Sequence, residues 1–463
     1  MTNTGPKEYI EKLKQITNKR SALQADIELQ YLEEASSILN KENSISVPAA
    51  KKQKNTTTKD QVKVPGLLKT LGESLLDRIP TTAERSKKED YFYYLSKNII
   101  FDLSDTSSGA QLTWFSPDVE KAIKERYIVE KPEHENQNIT SLLKNLNKIK
   151  RGFAVSRVLA ELESYKTTEL KSKNIKRIYE HVLRIHAEKT WMLSKEARAN
   201  YTEMDFQIKF WGPVFETFFS SPSVVLHWGD SLSDPCLKKN LKFKLDLRLL
   251  LFSHEEVIVD GMNGEVAKQA TKAKLYGDRL KSVLATKCHI NNFLATIPYL
   301  DVASVKKILF PILQIMGLNV HVLVLRLGNK GIYVLQEMAT FRFPTTTVKI
   351  KDNLKEMIDG LALIETLIDN LKQIYETSQL ADEDTMERIV NETRKIKKFN
   401  SSSWISEVVW SNPDDSDKDD EDEDVESCAE KDKVEDNSED DDEEAEEEEE
   451  EEEEEDGGEE RDD

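Results

Sequence analysis

Residues 241–252 alternate with period two. Phe243, Leu245, Leu247 and Leu249 fall on one side and Lys244, Asp246 and Arg248 on the other, which predicts a β-strand with one buried face. A short polar connection leads into a second apolar run at 257–266, loosened by Gly261 and Gly264. A connection this short makes the two strands antiparallel neighbours. Upstream, 203–219 predicts an apolar, aromatic-rich helix kinked at Pro213, and 224–228 a short strand. Trp211, Phe215, Phe218 and Phe219 follow helical spacing and are assigned to the core.

Downstream, 269–294 predicts a long helix. The apolar region 308–325 is broken by Pro311, Gln314, Gly317, Asn319 and His321. A membrane span needs roughly 20 mostly apolar residues, so this region reads as a buried helix over 305–317 followed by a strand over 320–327. A second strand over 332–343 pairs with it across Gly328-Asn329-Lys330-Gly331, whose residue types favour positive φ. Helices at 352–377 and 382–398 close the body. The sum is an α/β (α+β) fold, a mixed central sheet flanked by helices over residues 201–400.

The flanks differ. Residues 1–41 carry Ile10, Leu13, Ile16, Leu23, Ile27, Leu32 and Ile38 in an approximately helical rhythm and read as a helix or coiled-coil arm. Residues 42–65 are polar, without periodicity, and read as a disordered basic linker. Within it Lys51, Lys52 and Lys54 form a short basic cluster of the kind read by nuclear import receptors, or an ordinary lysine-rich linker. Residues 66–200 read as a helical region with turns at Ile79-Pro80 and Lys131-Pro132. In 175–187, His181 and His186 are five apart and do not share the i, i+4 face of metal-binding helices, so both are assigned structural or surface roles.

Charge changes the picture. The 463-residue chain has net charge −22, but residues 414–463 hold 35 acidic and 4 basic side chains, which leaves the remainder at +9. A mildly basic body with a disordered acidic tail over 413–463 suggests nucleic-acid or basic-protein partners such as histones. Cys236, Cys288 and Cys428 form no CxxC pair, which points to free thiols and away from a disulfide or zinc scaffold. Cys288 and His289 are adjacent on a helix and are expected to diverge. The N-terminus shows no secretory h-region. No GxxxxGK[ST] or GxGxxG loop appears, so nucleotide hydrolysis has no sequence support.

The candidate chemistry lies in the two strands. Asp246 and Glu265 fall on neighbouring strands. Lys274, Asp278 and Lys281 share one face of the following helix at i, i+4 and i+7. Two carboxylates can hold Mg²⁺, which keeps several of its waters, with a lysine nearby to meet water or phosphate. The plainer alternative is a solvated strand face paired across strands.

The elements and the residues Lys244-Leu245-Asp246, Gly264-Glu265-Val266-Ala267-Lys268 and Asp278-Arg279-Leu280-Lys281, over about 201–345, resemble the PD-(D/E)XK nuclease-like superfamily. That resemblance implies a restriction-endonuclease-like core, Mg²⁺ held by Asp246 and Glu265, and a lysine assisting the attacking water. It also implies that an acid on the first helix joins the site, with Glu203, Asp205 or Glu216 as candidates and Glu203 first. Leu245 stands where the family has proline. Ala267 stands where it has lysine, and Lys268 comes one residue late, on the other face of a regular strand. Lys281 is then the substitute, with Lys268 as the second candidate.

The expected function is a Mg²⁺-dependent nucleic-acid phosphodiesterase, nuclear or nucleocytoplasmic and without membrane association. The alternative is a catalytically inert nuclear or chromatin-associated protein whose acidic tail binds basic partners.

Overall fold

The computed structural model describes residues 85–390 and 401–410, apart from 108, 135–136, 150–153, 254–255, 298–299 and 301. The expected N-terminal arm, the linker with Lys51, Lys52 and Lys54, and the acidic tail lie outside the described residues.

A seven-stranded mixed sheet forms the centre, in the order β1-β7-β6-β5-β4-β3-β2. Its strands are β1 (Ile100–Asp102), β2 (Val224–Ser231), β3 (Leu245–Ser253), β4 (Glu256–Ala267), β5 (Phe310–Met316), β6 (Asn319–Asn329) and β7 (Ile332–Arg342). β1 runs parallel to β7 and β4 parallel to β5; every other neighbouring pair is antiparallel. The helices are α1 (Lys87–Lys97), α2 (Pro117–Tyr127), α3 (Thr140–Leu146), α4 (Val155–Ser164), α5 (Leu170–Glu188), α6 (Lys195–Ala199), α7 (Glu203–Phe206), α8 (Gly212–Phe218), α9 (Asp234–Leu237), α10 (Lys272–Thr296), α11 (Val302–Lys307) and α12 (Ile350–Val390). Among the described residues, no helix is long and apolar enough to cross a membrane.

The alternation read in β3 holds. Leu245, Leu247, Leu249 and Leu251 are all fully buried, each contributing about 1.5–3 kcal/mol of transfer free energy. The opposite face carries Asp246 and Arg248 towards α10. Helix α12 covers the sheet from the other side and lies very close to it. A Cβ at Gly360 would sit 2.2 Å from the Phe341 ring of β7, so only glycine permits that approach. The main core cluster runs from Tyr91 of α1 through the sheet to Trp404, with two smaller clusters around Phe101 and Leu309.

Four expectations change. The predicted helix over 305–317 is a short helix, α11, followed by the strand β5. All seven residues of β5 are buried, so it shows no alternation, and a fully buried strand cannot be told from a buried helix by periodicity. Helices 352–377 and 382–398 are one helix through Val390; residues 391–398 lie outside the described residues. In the helical region, Ile100–Asp102 forms the edge strand β1, too short to show a period. The kink expected at Pro213 is a π turn over Gln207–Trp211, just before α8. The predicted hairpin closes at Gly331 with φ +67°. The core assignment of Trp211, Phe215, Phe218 and Phe219 also holds, since all four are buried.

Candidate functional site

β3 and β4 pair through Leu247↔Gly264, which brings Asp246 and Glu265, the next residues along each strand, to the same end of the ladder. Asp246 is fixed there because its Oδ2 accepts the backbone N–H of Val266 at 2.7 Å. Glu265 is only 3% exposed. Its Oε2 meets Lys281 Nζ at 3.0 Å, while its Oε1 is buried with no hydrogen-bond partner. An ionised buried oxygen without a donor is costly.

Helix α10 roofs this pocket. Thr271 caps it by accepting the Lys274 N–H, and the first turns present Lys274, Asp278 and Lys281. The Lys281 side chain stays 35% exposed, reaching in from the rim and also donating to the Lys244 carbonyl at 3.4 Å. Lys274 Nζ pairs with Glu203 Oε1 at 3.0 Å. Glu203 is the first residue of α7, whose start is set by a capping box between Thr202 and Asp205.

Four carboxylates (Glu203, Asp246, Glu265 and Asp278) thus interact with two ammonium groups, Lys274 and Lys281. Burial raises Glu265 well above the usual carboxylate range, against the pull of Lys281. Burial also raises Asp246, opposed by the Val266 N–H, and pushes Asp278 up to about 6. Burial alone would lower Lys281, but Glu265 and Asp278 outweigh it and hold its pKa high.

Of the other predicted residues, Lys268 lies beyond the end of β4 and is exposed, so it does not join the cluster. Asp205 is committed to its capping box and to Lys209. Glu216 accepts the Trp228 indole N–H at 2.7 Å. His186 is buried with Nε2 against the Pro344 carbonyl at 3.1 Å, and His181 packs edge-on against Phe343; neither faces the pocket.

A neighbouring polar layer was not read from the sequence. Gln314, paired with Glu265 in the β4–β5 register, accepts from Arg279 Nε at 2.9 Å and donates to the Leu275 carbonyl at 2.8 Å. It anchors α10 to the sheet next to Glu265. Gln314 was visible only as a polar break in an apolar run.

Among the described residues, no three His, Cys, Asp or Glu side chains converge closely enough to hold a metal by themselves. Two carboxylates with water completing the shell remain compatible with Mg²⁺. The unpartnered Glu265 Oε1 fits that arrangement. Compared with known proteins, the chain matches no family model, no curated protein and no solved structure.

Proposed function

We propose that the protein is a Mg²⁺-dependent nucleic-acid phosphodiesterase with a PD-(D/E)XK-like core, Asp246 and Glu265 holding the cation and Lys281 serving the attacking water. The observation that carries this reading is the buried, half-satisfied carboxylate of Glu265 beside Asp246, reached from the rim by one lysine. The order α8, β2, β3, β4, α10, β5 around these residues, with the short helices α9 and α11 interposed, supports it.

A bound divalent cation would neutralise charge developing on the phosphodiester and acidify the attacking water. The chain's own residues do the rest. The Val266 N–H holds Asp246 in one rotamer, so one ligand is preorganised. Glu265 would hold the cation beside Asp246 through its unpartnered Oε1. Lys281, at the rim, would orient water or meet a non-bridging phosphate oxygen. Asp278, one turn earlier on α10, keeps that ammonium over the pocket. Glu203 and Lys274 form the outer rim, where Glu203 can turn inward as a further acidic contact.

The direct Lys281–Glu265 pair at 3.0 Å also favours a second reading, a catalytically inert relative in which this ion pair is structural. Such a protein would act through its acidic tail on basic nuclear proteins, and import would rest on Lys51, Lys52 and Lys54. One experiment separates the two. The full chain is incubated with labelled DNA and RNA in Mg²⁺ and in EDTA, alongside Asp246→Ala and Glu265→Ala. The enzymatic reading expects EDTA-sensitive cleavage that both substitutions abolish. Cleavage surviving both, or no cleavage and no Mn²⁺ or Mg²⁺ binding, overturns it.

A further inference from the structure

Residues 405–410 form neither helix nor strand, yet their backbone is pinned to the body. Asn98, at the end of α1, donates to the Val409 carbonyl at 2.9 Å and accepts the Val409 N–H at 2.8 Å. Lys287 and Asn291 of α10 donate to the carbonyls of Glu407 and Ser406 at 2.9 and 2.8 Å. The segment finishes on two ring contacts, with the Trp410 centroid 4.7 Å from that of Tyr94 and 5.3 Å from that of Phe243. These bonds fix the point from which the chain continues, and that point is basic. Residues 238–244 read Lys-Lys-Asn-Leu-Lys-Phe-Lys, with four lysines and no acid. Leu241 and Phe243 are buried, whereas Lys238, Lys239, Lys242 and Lys244 are all exposed. Lys239 and Lys244 make loose ion pairs, with Glu407 at 3.8 Å and with Asp230 at 3.9 Å. The first of these already joins the lysine patch to the pinned segment.

We propose that this lysine patch is the docking surface for a segment of the same chain, Asp414-Asp415-Ser416-Asp417. Two observations name the occupant. The first is position. Trp410 packs on Phe243, which stands between Lys242 and Lys244 in the sequence. Asp414 follows four residues later, a span of about 14 Å at full extension, so the aspartates start within reach of the patch. The second is charge. Three carboxylates within four residues meet four exposed ammonium groups. A single exposed ion pair contributes little. Several together, on a segment whose neighbour is already pinned, act at a high effective concentration and need no second molecule. The docked segment would lie beside the carboxylate pocket, because Lys244 stands two residues before Asp246 and its carbonyl accepts Lys281 Nζ at 3.4 Å. The same ammonium groups would then be withheld from any other polyanion, a phosphate backbone included.

The docking does not depend on the activity proposed above. It is tested on the full chain by carbodiimide coupling at low salt, which condenses a carboxylate with an amine in contact with it, followed by peptide mapping. An equal mixture of light and heavy isotope-labelled protein separates coupling within one chain from coupling between two. Asp414, Asp415 or Asp417 should be joined to Lys238, Lys239, Lys242 or Lys244 within one chain. The products should vanish at about 1 M salt, where charges act over only about 3 Å. Coupling of these aspartates confined to lysines outside 238–244, coupling only between chains, or no coupling at all would each overturn the proposal. A second measurement reads the patch itself. In Asp414→Asn/Asp415→Asn/Asp417→Asn, Lys242 and Lys244 should react severalfold faster with acetic anhydride, while Lys268 keeps its rate. Equal rates for Lys242 and Lys244 in the wild type and the variant would show the patch unoccupied and overturn it as well.

Discussion

Helix α10 buries charge at two places, and the two are satisfied very differently. At its second half the fully buried Lys287 donates to the Asn98 carbonyl at 3.0 Å, Asn98 Oδ1 at 3.1 Å and the Glu407 carbonyl at 2.9 Å. It also lies over the Tyr333 ring. Asn98 in turn holds both the N–H and the carbonyl of Val409, so residues 404–410 are strapped to the body. All three ammonium protons are used. At the first half, Lys281 meets a carboxylate that keeps one orphaned oxygen. A closed set of partners fixes structure; an open one leaves chemistry to be completed by something else.

The largest expected effect tests the closed side. Lys287→Ala should destabilise the protein by about 2–5 kcal/mol, since it leaves a cavity and takes the ammonium donor from two backbone carbonyls and from Asn98 Oδ1, which keeps only the Val409 N–H. Urea denaturation measures this, and residues 404–410 should lose hydrogen-exchange protection. A cost below about 1 kcal/mol would remove the contrast between the two ends of the helix.

The open side should respond in the opposite sense. Glu265→Gln removes a costly buried charge, so stability should change by less than about 1 kcal/mol or rise. Cleavage should nevertheless fall by at least about 100-fold. Mg²⁺ should raise the melting temperature of the wild type and not that of this variant. A large stability loss with unchanged activity would make Glu265 structural.

The two lysines should also diverge with pH. Burial pulls Lys287 down to about 7, below its unfolded value of about 10.4. The unfolded chain therefore binds the extra proton between those values, and stability from this group rises with pH across that window, by up to about 1.4 kcal/mol per unit. It is lost as pH falls towards 7. Lys281 is raised, so its contribution is complete below about 10.4 and is lost only above that. Comparing wild type with Lys287→Met from pH 7 to 10 should show the rise in the wild type alone. The smallest effect is expected at exposed Lys268. Lys268→Ala should shift stability by less than about 0.5 kcal/mol and leave cleavage within about twofold.

Much of the site was legible because it rests on local periodicity. The alternation of Leu245, Leu247, Leu249 and Leu251 settled which face Asp246 takes, since a strand's period of two leaves no freedom once one face is buried. With Ala267 at the lysine position, the i, i+4 and i+7 spacing of the next helix marks Lys281 as the substitute. β5 was not legible, because burial on both faces erases the alternation that marks a strand. Gln314 and Arg279 were not legible either; their pairing joins residues 35 apart.

The sequence by itself determined the polar face of β3, the Gly328–Gly331 hairpin, the core role of the aromatic run at 211–219 and the α10 face that carries Lys274, Asp278 and Lys281. Each follows from a rule that acts over a few residues. Only the tertiary structure decided that Lys281 reaches Glu265 at 3.0 Å and that Gln314 anchors α10 beside it. Those choices depend on how strands and helices distant in the chain approach one another, and adjacency in space is set by the packing of the whole core.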